Sequence, residues 1–170
     1  MSTDKPTGDG LEGIEIPDDL SSLTGSADPS LAVIVTQIAG AQPLAAACSI
    51  AEISADAVPT EVGAVAVLAD TKGDAPQKAV SALSQLVRGV PFVLVVKSGE
   101  QLTAFRWQDG AVEEELAPGL VLGGAPEVLE DLLVGDGDLS EIDGVVASGS
   151  VSRWKAMRQL TAAARKARKK

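Results

Sequence analysis

The sequence has no histidine and no tyrosine, and its 170 residues include only two tryptophans, two phenylalanines and one cysteine. Without histidine the usual general base, the usual metal ligand and every Ser-His or Cys-His nucleophile pair are missing. Carboxylates, lysine and a single thiol are what remain for catalysis. A glycosidase-like carboxylate pair normally sits in an aromatic-lined cleft, and Phe92, Phe105, Trp107 and Trp154 are too few to line one. With Cys48 alone, no intramolecular disulfide can form, so the chain does not read as a disulfide-stapled secreted scaffold; a reducing, cytoplasmic setting is expected. The polar, acidic stretch from Met1 to Pro29 lacks the charged-then-apolar order of a secretory signal.

Long hydrophobic runs are scarce as well. Pro29 to Ala51 carries no charge over a bilayer-spanning length, but Thr36, Gln37, Gly40, Gln42 and Pro43 interrupt it and alanine dominates the rest, so membrane insertion is disfavoured. Leu44-Ala-Ala-Ala-Cys48 has the outline of a lipoprotein processing box but no upstream basic flank, and Cys48 reads instead as a buried core thiol.

Hydrophobic residues make up 45% of the chain, enough for one core built of Val, Leu, Ile and Ala. Three regions are expected. Residues 1–30 are rich in Gly, Ser, Thr, Pro and Asp and read as a disordered acidic arm. Within it Leu11, Ile14, Ile16, Leu20 and Leu23 alternate with Glu12, Glu15, Asp18 and Asp19, a pattern suited to docking on a partner or on its own domain, or to solubilising the chain. Residues 31–149 form the α/β domain, and residues 150–170 a basic C-terminal helix and tail.

Within the domain, Leu31 to Ile38 is a β-branched run and predicts a buried strand. Residues 43–57 fit either a helix opened by Pro43 or the return strand of a hairpin, with the helix preferred. Gly63 to Ala69 reads as a strand, and Val80, Leu83, Leu86 and Val87 fall at helical spacing behind a candidate N-cap, Asp74. With the strand Pro91 to Val96 these make a βαβ unit. Tight turns at Ser98-Gly99 and Asp109-Gly110 then predict an antiparallel β-meander over 91–97, 101–107 and 111–116. Pro118 to Gly124 reads as a glycine-rich connector, and Pro126 opens a short helix with Val128, Leu129, Leu132 and Leu133 on its apolar side. Ser150 or Ser152 caps the last helix, whose stripe is Trp154, Met157, Leu160, Thr161 and Ala164. The fold class is therefore α/β, with α+β as the alternative: a single domain with a mixed β-sheet and helices packed on it.

The strongest signal is the distribution of charge. Residues 1–143 hold 24 acidic and 6 basic side chains, whereas residues 144–170 hold 8 basic and no acidic ones. Such a field governs partner sign and association rate rather than fold. Three readings follow. The last helix docks on its own acidic body through Trp154, Met157 and Leu160. Or it presents Arg153, Trp154, Lys155, Arg158, Arg165, Lys166, Arg168, Lys169 and Lys170 to an acidic protein partner or to a second copy, with Phe105 and Trp107 of the hairpin as a further contact. Or it binds phosphate on nucleic acid or an anionic membrane, against which stand the repulsion of the acidic body and the lack of aromatics for base stacking.

Other constellations are weaker. Asp70 and Asp74 follow a strand where open α/β sheets bind ligands, and a small enzyme or ligand-binding domain could centre on them; a turn with an N-cap accounts for the same residues. Asp136-Gly-Asp138-Leu-Ser140-Glu141 begins like a calcium loop but has Glu141 in place of the obligatory glycine. Gly123-Gly124 and Gly149-Ser150 precede helices and could hold an anion, the former against the acidic first turn of its own helix. The expectation is a non-catalytic interaction or assembly module with no metal or cofactor.

Overall fold

The computed structural model describes residues 28–135 and 138–168; most of the expected acidic arm therefore lies outside the described residues. Strand β1 (Leu31–Val35) leads into helix α1 (Ala41–Ile50), and strands β2 (Ala55–Thr60) and β3 (Gly63–Leu68) follow as a hairpin. Helix α2 (Ala75–Leu86) precedes the meander β4 (Phe92–Ser98), β5 (Gln101–Gln108) and β6 (Ala111–Leu116). Helices α3 (Pro118–Gly123) and α4 (Glu127–Val134), a 3-10 turn at Leu139–Glu141, the two-residue strand β7 (Val146–Ala147), a second 3-10 turn at Ser148–Ser150 and helix α5 (Arg153–Arg168) complete the order.

The strands form one seven-stranded sheet in the order β6-β5-β4-β1-β3-β2-β7. Every ladder is antiparallel. The expected βαβ unit is present in split form: β3 and β4 both run antiparallel to β1, hence parallel to each other, and β1 lies between them. The sheet is thus a fully antiparallel one, with the parallel relation confined to strands that do not touch.

Alternation along each strand assigns its side chains to two cores. Ala32 and Ile34 of β1, Ala64 and Ala66 of β3 and Phe92 and Leu94 of β4 face the side covered by α1 and α2. Val33, Val65, Val67 and Val95 face the other side, where Leu129, Leu132 and Leu133 of α4 cover them. Covered on both faces, the central strands carry almost no charge, which explains their uninterrupted apolar runs. The exposed edge strand β6 instead carries Glu113, Glu114 and Glu115, a charged edge that discourages pairing with another sheet.

Local sequence sets the turns. Asp109 and Gly110 take φ of 51° and 89°, the doubly left-handed backbone of a type I′ hairpin turn. The turn is pinned to α2: Gly110 N donates to Ser84 Oγ at 2.9 Å, and Ser81 Oγ donates to Gly110 O at 2.9 Å. At Gly63, with φ of 144°, a Cβ would stand 2.3 Å from the Thr36 carbonyl oxygen, so only glycine lets β3 approach the end of β1 this closely.

Three expectations change in detail. The helix preferred for 43–57 occupies 41–50, and Ala55–Thr60 is a strand. The supposed connector 118–124 is mostly helical, with Val121 and Leu122 packed against the α4-side core. Asp74 stands at the N-cap position of α2 but makes no side-chain cap; its carboxylate pairs with Lys78 at 3.0 Å instead.

Candidate interaction surface

Helix α5 reaches the domain through a chain of specific contacts that begins before its first turn. Strand β7 pairs with the outer side of β2, Asp56 opposite Ala147 and Ala57 opposite Val146. Ser148, 4% exposed, accepts from Ala55 N at 3.0 Å and donates to Ile53 O at 2.8 Å. Ser49 Oγ at the end of α1 donates to Val151 O at 2.8 Å, and Val151 is buried. Of the two candidate caps it is Ser152 that serves, its Oγ accepting from Lys155 N at 3.3 Å. Arg153 then pairs with Glu52, and Ala156 is fully buried in the core that contains α1.

Among the described side chains of α5, Ala156 is the one buried in the core. Leu160 is half-buried, while Trp154 and Met157 are 64% and 57% exposed, so the expectation that Trp154, Met157 and Leu160 together dock the helix is corrected. The described contact is a small one: Ala156 packs in the same core as the alanine-rich helix α1, where a small residue lets two helices approach closely.

Facing outward, Trp154, Met157, Arg158, Thr161, Ala162 and Arg165 line a shallow strip of about 550 Å³ at helical spacing. The Arg158 guanidinium lies 4.5 Å from the centroid of the Trp154 ring, a cation–π stack that holds both side chains on the same face. Among the described residues Arg153 is the only cation of α5 with a carboxylate within salt-bridge distance. Lys155, Arg158, Arg165, Lys166 and Arg168 are exposed, and Lys169 and Lys170 lie outside the described residues. Among the described residues, the cations of α5 beyond Arg153 are thus not consumed by internal ion pairs.

The two hairpin aromatics are placed differently. Trp107 packs against the α1- and α2-covered core with its Nε1 buried and without a hydrogen-bond partner; Phe105 beside it is half-buried. What the hairpin turns outward is glutamate, and Arg106 lies 3.2 Å from Glu113 and 3.8 Å from Glu114.

Around Asp70 and Asp74 there is a groove of about 450 Å³ lined by Glu52, Ile53, Leu68, Asp70 and Lys78. Its charges are already engaged: Asp70 Oδ1 accepts from Lys72 N at 3.1 Å, Lys78 pairs with Asp74, and Glu52 with Arg153. Asp138 accepts from Ser140 N at 2.9 Å, which with the Ser140 side chain holds its carboxyl below the usual range; this is a cap on a 3-10 turn, and Asp136 of the candidate calcium loop lies outside the described residues. Among the described residues no group of three or more His, Cys, Asp or Glu is placed to hold a metal, and no helix is long and apolar enough to cross a membrane. Burial pushes the Cys48 thiol up to about 12, against a smaller opposing pull from a backbone hydrogen bond, so it is a neutral core group rather than a nucleophile.

Sequence reasoning missed Glu52 and Ser148, the residues that position α5. Nothing local marks them, since their partners lie 101 and more than 90 residues away in the chain. Comparison with known protein families, with curated proteins and with solved structures finds no match to this chain.

Proposed function

We propose that the chain is a non-catalytic interaction or assembly module that takes an acidic protein partner on the outward face of α5. The observation that carries this reading is the exposure of Trp154 and Met157 beside cations that, among the described residues, have no carboxylate within salt-bridge distance, on a helix whose entrance is fixed to the domain. An aromatic and arginine pair on a rigid support is the composition from which binding hot spots are made. The unpaired cations add attraction for an acidic surface and repel a basic one. The absence of histidine and tyrosine, and the engaged charges of the Asp70 groove, support a non-catalytic role.

The test is quantitative affinity capture from the native host, comparing the full chain with a Trp154→Ala, Arg158→Glu, Arg165→Glu variant. All three side chains are exposed, so the variant keeps its fold. A protein recovered by the full chain and lost from the variant is the expected outcome, and equal recovery of every protein by both refutes the reading. Steeply salt-dependent recovery of nucleic acid in place of protein would transfer the same face to a phosphate partner.

A further inference from the structure

One segment has the composition for a docking role on this domain: the arm that carries Leu11, Ile14, Ile16, Leu20 and Leu23 among Glu12, Glu15, Asp18 and Asp19. Its composition is the complement of the outward face of α5, apolar side chains for Trp154 and Met157 and carboxylates for Arg158, Arg165 and their neighbours. We propose that residues 11–23 dock on the α5 face of their own chain and occupy it in competition with the external partner. This rests on the reading of α5 as a binding surface.

Topology places the two within reach. The pairing of Val33 with Val67 sets Leu31, the first residue of β1, level with Ala69, and Ala69 N donates to Ser54 O at 3.0 Å from the other side. Leu31 and Ser54 thus stand at the same end of the sheet, two strand spacings or about 10 Å apart. Glu52, two residues before Ser54, is the residue that holds Arg153. The arm therefore enters the domain beside the first turn of α5, the turn that carries Trp154. The seven residues 24–30 can span up to about 24 Å when extended, more than the separation requires.

A tether of that length also decides between the arm of the same chain and that of a second copy. Joined by a short linker, a segment sees its site at an effective concentration of about millimolar, far above that of a second copy in dilute solution. Charge gives the docking its sign: the segment bears four carboxylates and no cation, and α5 bears no carboxylate at all.

Zero-length carbodiimide cross-linking of the full wild-type chain tests this directly, using an equal mixture of unlabelled and nitrogen-15-labelled protein. Amide links from Lys155 or Lys166 to Glu12, Glu15, Asp18 or Asp19 are expected, all within a single isotopic form and none mixed. Mixed-isotope links making up about half of the total, as random pairing between copies gives, or no link between arm and α5, overturn the proposal. A second readout is acrylamide quenching of tryptophan fluorescence, in which Trp107, packed against the core, gives a constant background. In the full chain with Glu12→Gln, Glu15→Gln, Asp18→Asn and Asp19→Asn, quenching of Trp154 is expected to rise several-fold; unchanged quenching overturns docking. Recovery of the external partner is scored separately with the α5 variant, so failure of the arm to cross-link leaves that result standing, and failure of the α5 variant to lose partner refutes the underlying reading whatever the arm does.

Discussion

Replacing Ser148 by alanine should release α5 while leaving the central sheet in place. The hydroxyl, buried among β2, α1 and the last turn, accepts from Ala55 N and donates to Ile53 O. Alanine fills nearly the same volume, so the cost is that of two backbone groups left without partners. Each such loss costs about 1–3 kcal/mol when the group is buried, and the Ile53 carbonyl, on a half-buried residue, lies at the lower end, so about 2–4 kcal/mol is expected in total. The load falls on a segment held by a two-residue strand, Ser49 and Ala156, so it should appear as local opening before global unfolding. Converted at 1.4 kcal/mol per decade, protection of amides over residues 146–156 should fall by roughly 30- to 700-fold in hydrogen exchange, with those of β1 and β4 changing far less. Ser150→Ala is the control: its exposed hydroxyl donates to Ala147 O at 2.7 Å, and its loss should stay within about 0.5 kcal/mol. Equal protection in the Ser148 and Ser150 variants would refute the claim that this hydroxyl fastens the helix.

Other expectations follow from single sites. Gly63→Ala should cost about 3 kcal/mol or more, because the new Cβ meets the Thr36 carbonyl at 2.3 Å in a left-handed backbone, and a denaturant midpoint near that of the parent would contradict it. Cys48 should resist alkylation in the native protein at pH 8. Because its folded pKa is raised from 9.0 to about 12, the unfolded chain loses this proton first; the stability of the neutral thiol is intact below pH 9 and declines above it by about 1.4 kcal/mol per pH unit, a slope that Cys48→Ala should lack in denaturant titrations between pH 9 and 11. Trp154→Ala should change stability by no more than about 0.5 kcal/mol yet weaken partner binding by about 2 kcal/mol or more, some thirtyfold, as read by calorimetry and by affinity capture. A large loss of stability with unchanged capture would make the indole a packing residue.

How much of this was legible depends on how local each determinant is. Strands β1, β3 and β4 could be read because burial on both faces purges charge from them, and the β5–β6 turn because Asp109-Gly110 encodes its own backbone geometry. Strand β2 was obscured by Asp56 and Pro59. Pro59 is tolerated because β7 pairs only with residues 56 and 57, leaving the Pro59 nitrogen, which has no hydrogen to offer, on the unpaired side. Helix α3 was hidden by its glycines, none of which takes a left-handed backbone here. The charge and aromatic content of α5 were evident, but which face it buries was not, since that depends on α1 being lined with alanine and on Glu52 and Ser148, whose positions only the tertiary fold determines.

The orientation of α5 is what separates a binding surface from a solvated helix. Covering a large apolar side chain is worth about 1.5–3 kcal/mol, so a helix free to choose would turn Trp154 and Met157 inward. Rotating it that way would put an indole where Ala156 packs in the core shared with α1, widen the spacing between the two helices, and break both the Ser49 hydrogen bond to Val151 O and the Arg153 pair with Glu52. The contacts at the helix entrance therefore hold Ala156 inward. Among the described side chains of the helix, packing asks for a small residue at position 156 and sets no demand for tryptophan at 154. On the proposed reading, an exposed indole stacked on an arginine, beside cations with no carboxylate within salt-bridge distance among the described residues, serves a contact outside the domain core, and the proposed docking of residues 11–23 would supply one from the same chain.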